Sequence, residues 1–252
     1  KSELLFAFVE KTNPLFFFNF KFLKIIIPMK KFLISTPFLF SSLVAPSFAE
    51  ESKNLYLSIG GGFASVSDVE GDYTYGSTKY DATLPTDDIG VYTFALGKEF
   101  KDWRVEFNYG ISSLNTESIT VTSGGSTLSA TITPQLELDV KSYMLYGYKD
   151  FNKDEKFQPY IGLGLGYSSL SAKDQDARVS GTRLSLKGAE ESVFSYAIKG
   201  GTAYELSDKT SLFAEVVYQN LSSLSIESAG YNATNYDSTD FVAVVSGLKF
   251  KF

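Results

Sequence analysis

Apolar side chains alternate with polar or small ones along most of this chain. In the clearest stretch, 103–111, Trp103, Val105 and Phe107 fall on one face and Arg104 and Glu106 on the other. A period of two predicts β-strands, and a strand with one oily and one polar face suits a wall between lipid and a polar interior. Eight segments follow this pattern: 55–63, 90–100, 103–111, 136–148, 157–168, 193–206, 212–219 and 241–252.

The connections between these segments alternate in length. Short ones lie around 101–102, 150–156 and 207–210, whereas the others, rich in Ser, Thr, Gly and Asp, span 64–88, 112–134, 169–192 and 220–239. Short turns on one side and long loops on the other are typical of barrels that cross a membrane. The pattern predicts an all-β, eight-stranded, antiparallel transmembrane up-and-down β-barrel with short periplasmic turns and long extracellular loops. The segment 241–252 is expected to close it.

Aromatic residues near the predicted strand ends indicate two girdles at the membrane surfaces. The periplasmic girdle would contain Phe100, Trp103, Tyr148, Phe157, Tyr204 and Phe250, and the outer one Phe63, Tyr109, Tyr167, Phe194 and Tyr218.

The N-terminal part has the composition of a targeting segment. Met29-Lys30-Lys31 precede an apolar run at 32–44 and then small residues that end at Ala49. This order predicts a signal peptide over 29–49, cleaved after Ala49, and export of a barrel domain at 50–252 to the outer membrane. Residues 1–28 are interpreted as mis-assigned upstream sequence, and the alternative is an N-terminal anchor.

Three short stretches resemble the small eight-stranded outer-membrane barrels, the OmpA-like and opacity-type surface proteins. They are the terminal hexapeptide 247–252, the glycine-rich stretch 159–166 and the turn 206–212. The resemblance implies that the barrel-assembly machinery reads Gly247, Phe250 and Phe252 as an insertion signal. Val245 departs from the polar residue that usually opens this signal.

Charged residues recur on the faces predicted to point inward. They are Arg104, Glu106, Lys141, Lys199, Glu215 and Lys249. The predicted depths place Glu215 near Lys249 and Glu106 near Lys141. Because buried charges must pair or stay hydrated, we expect salt bridges that plug the lumen. The alternative is a narrow or gated ion path.

Gly162, Gly164 and Gly166 also face inward by parity. We expect them to make room for bulky neighbours such as Tyr143 and Phe213. The alternative is that they clear a cavity for a ligand or a channel.

The charge balance bears on partners. The formal net charge is −6, which argues against nucleic-acid binding. The acidic first loop matches no defined calcium loop, and no metal or cofactor is expected.

Basic residues in the third loop suggest contact with lipopolysaccharide phosphates, and the barrel is expected to be surrounded by outer-membrane lipid. These residues are Lys173, Arg178, Arg183 and Lys187. The four long loops are candidate sites for an extracellular partner.

The chain contains neither His nor Cys. Enzymes built on outer-membrane barrels characteristically use a His as general base or relay. A serine is a weak nucleophile without an activating base. We therefore expect no enzymatic activity. The predicted function is a structural or surface-interaction role. The alternatives are a small pore, a binder or transporter of small or hydrophobic molecules at the barrel mouth, and a soluble carrier of lipocalin type.

Overall fold

The protein is an all-β structure. A computed structural model describes residues 54–75, 77–179, 182–186, 189–228 and 231–252. The strands are β1 (Leu55–Val66), β2 (Val69–Tyr75), β3 (Thr78–Leu84), β4 (Ile89–Glu99), β5 (Trp103–Ser123), β6 (Ser126–Asp150), β7 (Phe157–Ala172), β8 (Gln175–Val179), β9 (Thr182–Leu186), β10 (Ala189–Ser207), β11 (Thr210–Leu221), β12 (Leu224–Ser228), β13 (Tyr231–Tyr236) and β14 (Thr239–Lys251). Within the described ranges, no helix is long and apolar enough to cross a membrane.

Eight of these strands form a closed antiparallel ring. The pairing runs β1–β4–β5–β6–β7–β10–β11–β14 and returns from β14 to β1. The ring strands coincide with the eight segments found by alternation, so the predicted eight-stranded barrel is confirmed. The last strand pairs with the first over the register Tyr56–Lys251 to Val66–Phe241.

The connections have the predicted asymmetry. Three short turns, at 100–102, 151–156 and 208–209, define the periplasmic end of the barrel. At the opposite end, the long connections fold into hairpins that the sequence patterns do not predict. The pairs are β2–β3, β8–β9 and β12–β13, and β5 and β6 run on together to a turn at Gly124 and Gly125. Both glycines have positive φ angles, 56° and 82°, which other residues rarely adopt.

These hairpins form a crown, which we define as β2, β3, β8, β9, β12 and β13 with the outer parts of β5 (112–123) and β6 (126–139). The crown has an apolar cluster of its own, separate from the barrel interior, made of Ile119, Val121, Ile132 and Ala177. Burial of these side chains holds the paired strands together outside the membrane.

The outer surface of the ring is apolar. Its exposed side chains include Leu163, at 64% exposure, and Val244, at 62%, together with Val105, Phe107 and Ile198. Arg104, Glu106 and Lys249 are buried inside. This orientation is that of a membrane-spanning barrel, and it is opposite to that of a lipocalin-type carrier.

The face predicted for β6 is wrong. Alternation over 136–148 predicts that Met144 and Tyr146 lie on the apolar, lipid-facing side, and Tyr148 has the same parity. In the structure these three side chains are at most 2% exposed, whereas Tyr143 and Leu145 are exposed. The register explains the inversion, because residues directly opposite on antiparallel strands share a face. Leu145 lies opposite Phe107 of β5, and Phe107 faces lipid.

The inverted face of β6 predicts a difference between two adjacent positions. Since the chain has no Cys, Leu145→Cys and Met144→Cys each give a single labelling site for a nitroxide. In lipid vesicles, we expect oxygen to broaden the signal at position 145 strongly and the signal at position 144 weakly, measured by electron paramagnetic resonance. The reverse ranking would show that the sequence pattern, and not this register, describes β6.

Candidate functional site

The charged residues predicted to line the lumen lie together near the periplasmic end, with one exception. Arg104 and Glu106 on β5, Lys199 on β10, Glu215 on β11 and Lys249 on β14 are all buried. Alternation along each strand turns them inward, and the narrow interior of an eight-stranded barrel brings them close together. We call them and their buried partners the ionic layer.

Lys141 is the exception, and its predicted place in the lumen is wrong. It is exposed on the outer surface and lies opposite Ile111. The reason is the inverted face of β6. Lys141 therefore cannot pair with Glu106.

Glu215 and Lys199 form a close ion pair. The Lys199 Nζ donates to Glu215 Oε1 at 2.9 Å, and the Tyr160 hydroxyl donates to Glu215 Oε2 at 2.9 Å. The Lys199 Nζ also lies 4.3 Å from the centroid of the Tyr146 ring, a cation–π contact. Both charges are thus satisfied away from water.

Arg104 is held between two tyrosine rings. Its Cζ is 4.1 Å from the Tyr148 ring centroid and 4.2 Å from that of Tyr160. Its Nε lies 3.4 Å from Asp150 Oδ1. Both are cation–π contacts, and the planes of the two rings lie at 84° to each other.

Glu106 is satisfied by hydroxyl groups. Tyr56 donates to its Oε2 at 2.8 Å, and Tyr148 donates to its Oε1 at 2.9 Å. Tyr148 therefore contributes its ring to Arg104 and its hydroxyl to Glu106, which links the two charges of β5.

Lys249 pairs with Glu99 and not with Glu215 as predicted. Its Nζ donates to Glu99 Oε1 at 3.0 Å, and Lys251 and Lys153 each lie 3.4 Å from Glu99 Oε2. Glu99 was missed in the sequence, although it shares the parity of inward-facing Gly97 on the same strand. The parity with Gly97 is the sequence signal that predicts an inward-facing Glu99.

Glycines make room for the tyrosines of the ionic layer. A Cβ atom at Gly162 would clash with the Tyr148 ring, and one at Gly164 with the Tyr146 ring. The inward position of these glycines agrees with the sequence, but the expected neighbours do not. Tyr143 faces outward, and Phe213 lies against Gly60 and Gly247.

A layer of hydroxyl and amide groups lies above the ionic layer, towards the outer end. Ser168 accepts from Ser195 at 2.9 Å and lies 2.9 Å from Ser142. The Gln219 amide donates to Ser142 at 3.0 Å and to Ser168 at 3.1 Å. Each strand continues from this layer into apolar residues.

The outer end of the lumen is an apolar mouth. A cavity of about 280 Å³ opens there, with Leu114, Leu138, Leu170, Val193, Leu221 and Phe241 among its lining residues. These residues come from β5, β6, β7, β10, β11 and β14, so six of the eight ring strands contribute. The sequence patterns do not reveal this cavity, because alternation predicts that Leu138 of β6 faces lipid, whereas it lines the mouth.

Polar groups stand at the rim of the mouth. The Ser113 hydroxyl donates to Asp139 at 2.8 Å, and the Lys173 Nζ lies 3.5 Å from the same carboxylate. The hydrogen bond from Ser113 and the charge of Lys173 lower the pKa of Asp139. This carboxylate therefore stays ionised at neutral and mildly acidic pH.

The residues of the predicted insertion signal lie on or just after β14. Gly247 packs inside against Gly60 and Phe213, whereas Phe252 is exposed at the periplasmic end. The Phe252 backbone N–H donates to the Leu55 carbonyl at 2.9 Å. Phe250 lies outward by parity, and recognition by the assembly machinery stays a prediction. Ala49 and residues 1–53 lie outside the described ranges.

In the part of the chain that the structure describes, no group of three or more His, Cys, Asp or Glu side chains is arranged to hold a metal ion.

Removal of Glu215 tests the ionic layer. Glu215→Ala leaves the buried Lys199 without its carboxylate, and we expect a loss of about 3 kcal/mol in the free energy of unfolding. Urea titration in lipid vesicles, followed by the fluorescence of Trp103, measures it. The exposed Glu190→Ala should cost less than about 0.5 kcal/mol. Equal losses in both variants would contradict a stabilising role for the buried pair.

The family model of the outer membrane protein beta-barrel domain matches residues 36–250. No curated protein matches the sequence. The Neisserial surface protein A structure is similar, with a TM-score of 0.50 and 14% identity over 79% of this chain and 97% of that one.

Two further solved structures are similar at lower scores. The outer membrane protein OprG from Pseudomonas aeruginosa has a TM-score of 0.49 and 19% identity, covering 79% of this chain and 96% of that one. Ail, the attachment invasion locus protein of Yersinia pestis, has a TM-score of 0.39 and 15% identity, covering 78% and 98%.

The family match spans most of the sequence and agrees with the closed ring, its apolar outer surface and its asymmetric connections. This chain belongs to the outer membrane β-barrel protein family.

Proposed function

We propose that this protein is a non-conducting outer-membrane barrel with a structural or surface-interaction role. The observation that carries the proposal is the ionic layer, in which charges and tyrosine rings fill the periplasmic part of the lumen. Tyr56, Tyr146, Tyr148 and Tyr160 are each at most 5% exposed.

The space left within the lumen is small. A cavity of about 20 Å³ lies beside Arg104 and Glu106, and another of about 50 Å³ lies at the hydroxyl layer. A water molecule needs roughly 10–15 Å³ of such volume. These spaces have room for only a few water molecules, which is less than a hydrated ion needs to pass.

The exposed crown supports a role at the outer surface. We propose that the segments 64–88, 112–134, 169–192 and 220–239 present the surface that an extracellular partner contacts. We also propose contact with lipopolysaccharide phosphates, which the exposed positions of Lys141, on the outer surface, and Lys173, at the rim of the mouth, support. Membrane insertion through Gly247, Phe250 and Phe252, after export by a signal peptide cleaved at Ala49, is part of the same proposal.

The proposed role is not enzymatic. The absence of His from the whole sequence supports this, because a serine nucleophile lacks its usual base.

Planar-bilayer recording tests the closed lumen. We expect no steps of conductance from the unmodified protein, nor from Glu215→Ala/Lys249→Ala, because Arg104, Glu106 and the tyrosines still fill the interior. Tyr146→Ala/Tyr148→Ala/Tyr160→Ala should conduct, since three rings are removed. Heat-modified gel mobility checks that each variant is folded. Regular conductance steps from the unmodified protein would overturn the proposal.

The apolar mouth favours a second candidate function, the binding of small hydrophobic molecules. An apolar cavity of roughly 150 Å³ in another protein is known to bind benzene, and the mouth offers about 280 Å³. Its hydroxyl floor and the ionic layer below it would stop a ligand from passing straight through the barrel.

Methyl nuclear magnetic resonance in nanodiscs tests this binding. On addition of naphthalene, we expect saturable shifts of the Leu138, Leu170 and Leu221 methyl signals, and loss of these shifts in Leu138→Gln. Leu163 and Leu165 face lipid and report simple partition into the bilayer, which does not saturate. Identical responses at both sets of leucines would exclude a specific site in the mouth.

A further inference from the structure

We infer that the mouth binds unbranched aliphatic alcohols with the hydroxyl group inserted first, so that this group reaches the cavity at the hydroxyl layer. The inference rests on the second candidate function, the binding of small hydrophobic molecules in the mouth. It adds the class of ligand and the orientation in which the ligand binds.

A smaller cavity adjoins the mouth. The space of about 50 Å³ at the hydroxyl layer, which we call the lower cavity, shares two lining residues with the mouth, Leu221 and Phe241. Both are buried and lie on adjacent strands, β11 and β14, so they mark the boundary between the two spaces. A wide mouth above a small lower cavity suits an unbranched chain, which extends from one into the other, better than a ring system.

The lower cavity offers a hydrogen-bond acceptor. Gln219 lines it and is only half-buried. The Gln219 Nε2 donates to Ser142 and Ser168. Among the residues of the described ranges, none donates to the Gln219 Oε1, and this oxygen is not fully enclosed by protein. It is therefore available to a ligand hydroxyl.

The lower cavity also offers a hydrogen-bond donor. Lys199 lines it, donates to Glu215 at 2.9 Å and lies over the Tyr146 ring. An ammonium group has three N–H donors, so one remains for a ligand oxygen. Because Glu215 already neutralises Lys199, a carboxylate ligand would add a charge that has no partner. A neutral hydroxyl, which both donates and accepts, fits this donor and acceptor better.

The alkyl part of such a molecule fits the mouth, whose lining includes the aliphatic side chains of Leu138, Leu170 and Val193. In the opposite orientation, the terminal methyl group would lie against Gln219 and Lys199. It would displace water from these polar groups without replacing the hydrogen bonds that the water made. Burial of polar groups therefore favours the inserted hydroxyl.

The charged side chains that line the mouth offer less to the hydroxyl group. They are Glu137, Lys173, Glu191 and Asp237. Lys173 is already paired with Glu137 and Asp139. At the open rim, a hydroxyl exchanges a hydrogen bond to water for one to a side chain, which changes the free energy of binding little.

Methyl nuclear magnetic resonance in nanodiscs measures the affinity. 1-Octanol and nonane, which have the same number of non-hydrogen atoms, are compared at equal mole fractions in the lipid. We expect 1-octanol to bind about fivefold more tightly than nonane, as one net hydrogen bond predicts. Octanoate at pH 8 should bind more weakly than 1-octanol, because its charge has no partner in the lower cavity.

The Met144 methyl group reports the orientation, because Met144 lines the lower cavity and the only other methionine of the sequence is Met29, in the predicted signal peptide. We expect nuclear Overhauser effects from this methyl group to the CH₂ group next to the hydroxyl of 1-octanol. Naphthalene, which is too wide for the lower cavity, should shift the Leu170 signal and not that of Met144.

Two variants act on the lower cavity alone. Gln219→Leu removes the free acceptor and should bring the preference for 1-octanol over nonane to about one. Ala243→Leu fills the lower cavity, which Ala243 lines, and should abolish the Overhauser effects at Met144. Naphthalene should still bind to both variants. The matched control is Gln135→Leu, the same substitution at an exposed position outside both cavities, and it should keep the preference.

Equal affinities of 1-octanol and nonane would overturn the inference, as would Overhauser effects from Met144 to the terminal methyl group of 1-octanol. A preference that survives in Gln219→Leu, or that disappears in Gln135→Leu, would do the same. In each case saturable binding of naphthalene would leave the second candidate function standing, whereas its absence would overturn both. Heat-modified gel mobility checks that each variant is folded.

Discussion

Within a bilayer, every backbone N–H and C=O must find a partner inside the protein. The ring meets this requirement by pairing β1 with β14, so that no ring strand keeps an open edge in the lipid. Closure also fixes the alternation, because each strand then has one face in hydrocarbon and one in a lumen too narrow to stay empty. The contents of the lumen follow from this constraint.

The two halves of the lumen along its axis contain different kinds of side chain. Near the periplasmic turns, charges are buried with partners: Glu106 accepts from two tyrosines, and Glu215 accepts from Tyr160 and Lys199. Tyrosine suits this half because its ring fills volume and stacks on a cation while its hydroxyl satisfies a carboxylate. The outer half is lined by aliphatic residues and leaves an open cavity instead.

Alternation alone predicts the eight ring strands and the inward position of Arg104, Glu106, Lys199, Glu215 and Lys249. It fails for β6, because apolar residues of 136–148 that line the mouth and the ionic layer share one parity. Only the register with β5 and β7 decides that face, and register is not local information. The partner of Lys249 was missed for a similar reason, since stagger between strands sets which charges meet. The crown hairpins were missed because Ser- and Thr-rich segments read as loops.

The crown keeps its apolar cluster apart from the barrel interior. Substitutions in β3 or β8 therefore act on a small local core, and the membrane-spanning parts of the eight ring strands need not adjust to them. The exposed surface of the crown can therefore vary in sequence while the membrane-spanning ring stays the same.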